Sequence, residues 1–205
     1  MLFYVIISVF VSDIMNFNGI KSPKELYDFM EDNINYGVNI NNKIYTWDLD
    51  GEFQNICRDE WRLKSSEDII NSHYGICFDQ VEIERDWFLN NNYEFKTIFI
   101  WFLFDYSNTY PTHTYLVYKD NDKYYYFEHS DGNNKGIYEF DSYEDAIRYQ
   151  LDKHIEMTKK YNKVGEEEIK HIHIYEFDKP MINSSFEDYL NHILNSKDIT
   201  DKIIK

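Results

Sequence analysis

The chain has 205 residues, enough for one domain with a sizeable core. Its formal net charge of -16 argues against a phosphate-binding surface, because nucleic-acid binders present a basic footprint. Its two cysteines, Cys57 and Cys77, are too few for a disulfide scaffold, so free thiols in a reducing, cytoplasmic setting are the simpler expectation.

The N-terminal "MLFYVIISVFVSDIM" opens on an apolar run too short to span a bilayer. It lacks the basic flank and small-residue cleavage site of a secretory signal. Two readings compete: a buried strand rich in Val, Ile and Phe, or an upstream extension over residues 1–14 with translation starting at Met15. "SPKELYDFMEDNI" begins a helix, with Ser22 as cap, Pro23 in the first turn and Glu25 completing a capping box. Leu26, Phe29, Met30 and Ile34 form its apolar stripe. Residues 35–60 read as loop with short strand candidates. "SSEDIINSHY" is a short capped helix that ends near Gly75. A second helix follows, from Cys77 to about Asn90.

"EFKTIFIWFLF" is almost wholly apolar and predicts a strand covered on both faces. "THTYLVYK" and "KYYYFEHS" are strands joined by a hairpin turn at Asp120-Asn121. "SYEDAIRYQLDKHIEMTKKY" is a capped helix, "IKHIHIYEF" a strand and "SSFEDYLNHILN" a terminal capped helix. Helices followed by a mostly antiparallel sheet with an inserted helix make the fold class α+β. No repeat or long linker interrupts the chain, which predicts a single domain.

Cys77 carries the chemical question. In the first turn of a helix, unpaired N–H groups and the dipole lower a thiol's pKa. Nucleophilic catalysis also needs a base near the thiol and a group that orients the base. His113, on a strand facing the cysteine helix, is the candidate base. A hairpin symmetric about Asp120-Asn121 sets His113 opposite Glu128, and directly opposed residues share a sheet face. One extra residue in the turn would instead bring His129 to that place, and Asp131 is the reserve acid. Taken singly, each residue has a plainer reading: a small buried hydrophobe for Cys77, a satisfied strand histidine for His113, a solvated carboxylate for Glu128.

"YGICFDQVEIERDWF", "HTYLVY" and "YYYFEHSD", in that order and spacing, resemble the transglutaminase-like superfamily of papain-like thiol enzymes. The resemblance covers roughly residues 60–131. It implies a papain-like fold, with Cys77 as nucleophile, His113 as base and Glu128 as orienting acid. The family usually has Asp where Glu128 stands. Asp79 matches a frequent acidic position after the family cysteine, with a structural role. The chemistry it implies requires no cofactor or metal and takes a peptide or protein substrate, while the acidic charge argues against a nucleic-acid partner and the short N-terminal run against a membrane one. It leaves hydrolysis, amine transfer and a silent binding module on the same scaffold as alternatives, with hydrolysis of an amide bond preferred. His171 and His173, alternating in "HIHIY", could ligate a metal, but no paired Cys or carboxylate of fitting spacing lies nearby.

Overall fold

The structure is a computed structural model that describes residues 17, 19–47, 51–102, 112–162 and 171–204, with side chains to residue 160 in the long helix. The expectations for residues 1–14 lie outside the described residues.

The first element among the described residues is α1 (Pro23–Asn33), where Ser22 Oγ accepts from the Glu25 N–H at 3.2 Å. The Glu25 carboxylate reaches back one residue further than a capping box requires, to the Lys21 N–H at 2.6 Å. Short strands β1 (Asn35–Tyr36), β2 (Val38–Ile40) and β3 (Lys43–Tyr45) precede α2 (Glu52–Asp59). Helix α2 falls where the sequence predicts loop. It has no side-chain cap and only eight residues, so its stability comes from burying Phe53 and Cys57 rather than from local signals. Next come α3 (Ser66–Ser72), β4 (Tyr74–Gly75) and α4 (Cys77–Asn90). His73 ends α3 in the left-handed region at φ 59, which turns the chain into β4.

The sheet follows as β5 (Glu94–Phe102), β6 (Thr112–Asp120), β7 (Lys123–Glu128) and β8 (Gly136–Phe140). Then come α5 (Tyr143–Asn162), β9 (Ile172–Phe177), α6 (Phe186–Leu194), β10 (Lys197–Asp198) and α7 (Thr200–Ile203). Six strands pair in the order β10-β9-β5-β6-β7-β8, every pair antiparallel. The architecture is therefore α+β with one large antiparallel sheet. The sequence reading passed over β8 and β10, both short and half-exposed or exposed.

Alternation along the strands sorts the core into two layers. Ile98, Ile100, Tyr115, Val117, Tyr126 and Ile174 pack against Ala146, Ile147 and Leu151 of α5. On the other face, Leu116, Tyr118 and Phe127 meet Val81, Trp87 and Phe88 of α4, while Phe99, Trp101, Tyr175 and Phe177 share a cluster with Phe53, Cys77 and Tyr189. Helix α4 thus lies sandwiched between the sheet and α1, α2, α3 and α6, and 11 of its 14 residues are buried.

The β6–β7 register corrects the expected hairpin. Asp120 pairs with Lys123, Lys119 with Tyr124 and Leu116 with Phe127, so the turn is Asn121-Asp122, with Asn121 at φ 53. Asn121 fills the first central position of this turn, and Asn tolerates the positive φ adopted there. Continuing this register sets Tyr115, not His113, opposite Glu128. The slip is of two positions, so strand parity is kept and both side chains stay on one face.

Candidate active site

Cys77 is the first residue of α4, and the approach to it is set by Gly75. A Cβ at Gly75 would lie 2.9 Å from the Asp79 Cβ and 3.0 Å from Ile69 Cγ2, so only glycine allows α3, β4 and the start of α4 to close up. Asp79 then anchors the helix start: its Oδ2 accepts from the Ile76 N–H at 3.1 Å and from Trp61 Nε1 at 3.0 Å. This is the structural role expected for Asp79.

Strand alternation puts His113 beside Tyr115 on the α5 face, not on the face that α4 covers. Its ring lies 6.0 Å from that of Tyr115 and 5.9 Å from that of His154 on α5. The sequence expectation of a histidine looking straight at the cysteine helix is therefore corrected. The two residues meet at a corner. The β6–β7 ladder ends at Leu116 and Phe127, whereas β6 begins at Thr112, so beside His113 the strand has no β7 partner. At this open end the His113 ring interacts with the Cys77 thiol.

The second ring nitrogen of His113 is taken by the acid. His113 Nε2 lies 2.5 Å from Glu128 Oε2, a diagonal rather than a directly opposed contact. Nδ1 is then the nitrogen left for Cys77. Burial by itself would lower the imidazole pKa; Glu128 and the Cys77 interaction outweigh it and hold His113 well above the ordinary histidine range. Glu128 is 1% exposed and accepts four further bonds: Tyr126 Oη to Oε2 at 3.1 Å, and to Oε1 the Ser130 N–H at 2.5 Å, Ser130 Oγ at 2.8 Å and the Asp131 N–H at 2.7 Å.

The alternative acids are placed elsewhere. Asp131 accepts from the Asn133 N–H at 3.0 Å and Asn134 Nδ2 at 2.8 Å, forming the turn whose N–H groups grip Glu128. His129 points into the α4 layer, with Nδ1 2.6 Å from Gln80 Oε1 and Nε2 3.1 Å from Glu31 Oε1 without hydrogen-bond alignment. Burial pushes His129 down to about 4, so it stays neutral. Gln80 in turn donates to the Gly75 carbonyl at 2.8 Å, tying the end of β7 to the strand ahead of Cys77. Cys57 is buried, and its thiol is pushed up to about 12. His173 lies on β9, 3.6 Å from Asp198, and His171 just before the strand; among the described residues no group of three or more His, Cys, Asp or Glu could hold a metal. No described helix is long and apolar enough to cross a membrane.

Two contributors escaped the sequence reading. Gln80 was detectable as the residue one helical turn after Cys77. Tyr36 was not, because it arrives through the parallel pairing of β1 with β4, which sets Tyr36 beside Gly75. Burial first, then neighbouring Cys77 and Cys57, hold its phenol well above the ordinary tyrosine range, so it stays neutral. A groove of about 1050 Å³ lies away from this cluster, lined by Lys96, Phe177, Lys179 and His192 among others, and it includes none of Cys77, His113 or Glu128.

Asp79 carries a pH signature. Its hydrogen bonds and Lys64 favour the charged form, but burial dominates and raises its pKa to about 6. A carboxyl whose folded value exceeds its unfolded one favours folding in acid, and that advantage is lost as pH rises from about 4 through about 6. The difference corresponds to about 3 kcal/mol. Asp79→Asn keeps an acceptor for Trp61 and Ile76 without the charge. Denaturant unfolding of both proteins across this range should show the variant gaining about 2–3 kcal/mol relative to wild type between pH 4 and pH 7. A constant difference would refute the buried-charge account.

No protein-family model matches this sequence, and no curated protein matches it.

Proposed function

We propose that the protein is a cysteine-dependent amide hydrolase of transglutaminase-like, papain-like type. The observation that carries this reading is the His113 imidazole held by a buried, five-fold hydrogen-bonded carboxylate, with the helix-start thiol of Cys77 among the groups that raise its pKa.

In the proposed reaction His113 takes the Cys77 proton and the sulfur bonds to the amide carbon, moving the carbonyl electron pair onto oxygen. The backbone N–H of Cys77, at the first position of α4, is suited to stabilise that oxyanion, whereas those of Asp79 and Gln80 already donate to the Ile76 carbonyl at 2.9 Å. Collapse breaks the C–N bond, and His113 returns the proton to the leaving amine. Water, deprotonated by the same imidazole, then releases the acyl group and regenerates the thiol. Glu128 keeps the ring oriented and stabilises the imidazolium. These groups need no cofactor for the sequence of steps.

Transfer to an amine would use the same acyl-enzyme. Two carboxylates of the site, Asp79 and Glu128, are both buried and oriented by protein donors, which leaves neither to receive a cationic acceptor. Hydrolysis is therefore the preferred outcome. Incubation with a peptide library should release ammonia or a free amine in a Cys77-dependent manner, without incorporation of a labelled primary amine. Efficient Cys77-dependent incorporation would make the protein a transferase instead.

A second reading, a binding module without turnover, is favoured by the 6% exposure of Cys77. Equal product formation by wild type and Cys77→Ala, together with retained peptide binding, would select it.

A further inference from the structure

An aromatic surface borders Cys77. Trp47 is 64% exposed and Tyr36 39% exposed, whereas Phe53 between them is buried. The Phe53 ring lies 6.1 Å from that of Trp47 and 6.2 Å from that of Tyr36. Phe53 also belongs to the hydrophobic cluster that contains Cys77. Tyr36 links the surface to the site, because its pairing with Gly75 sets it two residues from the thiol in the register of β1 and β4. A tryptophan with most of its surface in water costs hydration free energy without packing in return, unless something covers it.

We infer that the Trp47–Phe53–Tyr36 surface is a specificity site that receives an aromatic or bulky apolar side chain of the peptide next to the amide attacked by Cys77. The inference rests on the proposed function for the identity of the occupant. Two features select a substrate side chain over other partners: Phe53 at the centre of the surface shares a cluster with Cys77, and the rings already adopt the tilted and edge-on geometries that favour a further aromatic. The protein's net charge of -16 also disfavours acidic segments at this place.

Two alkylating probes with the same reactive carbon test it without requiring turnover. Iodoacetamide and N-benzyl iodoacetamide each form a bond from Cys77 sulfur to the methylene carbon, break the carbon–iodine bond and release iodide, with the thiol proton passing to His113 or solvent. Rates at Cys77 are read by peptide mass spectrometry on the full chain. Wild type should prefer the benzyl probe, Trp47→Ala should lower that preference about 3- to 10-fold, and Trp47→Phe should keep most of it. The plain-probe rate should stay within about twofold in both variants, since Trp47 is a surface residue.

An unchanged preference in Trp47→Ala would overturn the inference. So would a Trp47-dependent dimer in sedimentation, which would assign the surface to a second copy of the chain. The failure of the proposed function is recognised separately: Cys77 alkylation would then be indifferent to His113→Ala, whatever the benzyl preference.

Discussion

Replacing His113 by alanine should lower any Cys77-dependent amide hydrolysis about 10²- to 10⁴-fold, the usual contribution of a positioned general base. Alkylation of Cys77 by iodoacetamide at neutral pH should slow about tenfold or more, since the thiol loses its proton acceptor. Cys57 is the internal control. Its pKa of about 12 makes it nearly inert in the folded chain, so wild-type label should accumulate at Cys77 first. Equal labelling of the two cysteines, or a His113→Ala rate equal to wild type, would remove the basis for an activated nucleophile.

The same pair predicts a pH dependence of stability. The folded His113 value is raised, so the stability contributed by the imidazolium–Glu128 contact is fully present below the unfolded histidine value of about 6.5. It persists through neutrality and is lost as pH rises through the folded value. The wild-type advantage over His113→Ala in denaturant unfolding should therefore shrink at alkaline pH, not at acid pH.

Removing the acid should cost more in stability than any other change at the site. Glu128→Ala strips an acceptor from five donors: His113 Nε2, Tyr126 Oη, both donors of Ser130 and the Asp131 N–H. Leaving buried donors and an uncompensated imidazole costs about 3–5 kcal/mol, roughly a 10 °C fall in melting temperature for a chain of this size. With only Cys77 left to oppose burial, the His113 pKa should fall, measurable as a shift of its ring resonances. Glu128→Gln separates the two roles of the residue. It keeps oxygen and shape for the turn, so most of the stability should survive, while the loss of charge should lower activity by about 10² or more. A Gln variant as active as wild type would reduce Glu128 to a structural turn anchor. A Glu128→Ala variant as stable as wild type would contradict the hydrogen-bond account itself.

Several features of this protein were legible in its residues because they depend on neighbours close in the chain. Ser22, Ser65, Ser142 and Ser185 each precede a helix and accept from an N–H three residues on, so helix starts could be read directly. The Gly75-x-Cys77 step marked the start of α4, and the apolar run of β5 announced a strand covered on both faces. Parity along β6 and β7 sufficed to bring His113 and Glu128 to one face even though the turn was misplaced by one residue, because a slip of two positions leaves side-chain direction unchanged.

The tertiary structure decided what depends on distant segments. Helix α2 and strand β8 draw on packing rather than local signals, and pairing of β1 with β4 is a parallel contact across nearly forty residues that no local pattern encodes. It brings Tyr36 to the thiol. Which of Glu128, His129 and Asp131 lies against the His113 ring was likewise decided in three dimensions: parity turns His129 toward Gln80 and Glu31, and Asp131 spends its carboxylate on the turn. The meeting of Cys77 and His113 from opposite layers of the sheet follows from β6 outrunning β7, a difference in strand length that appears only once both ladders are formed.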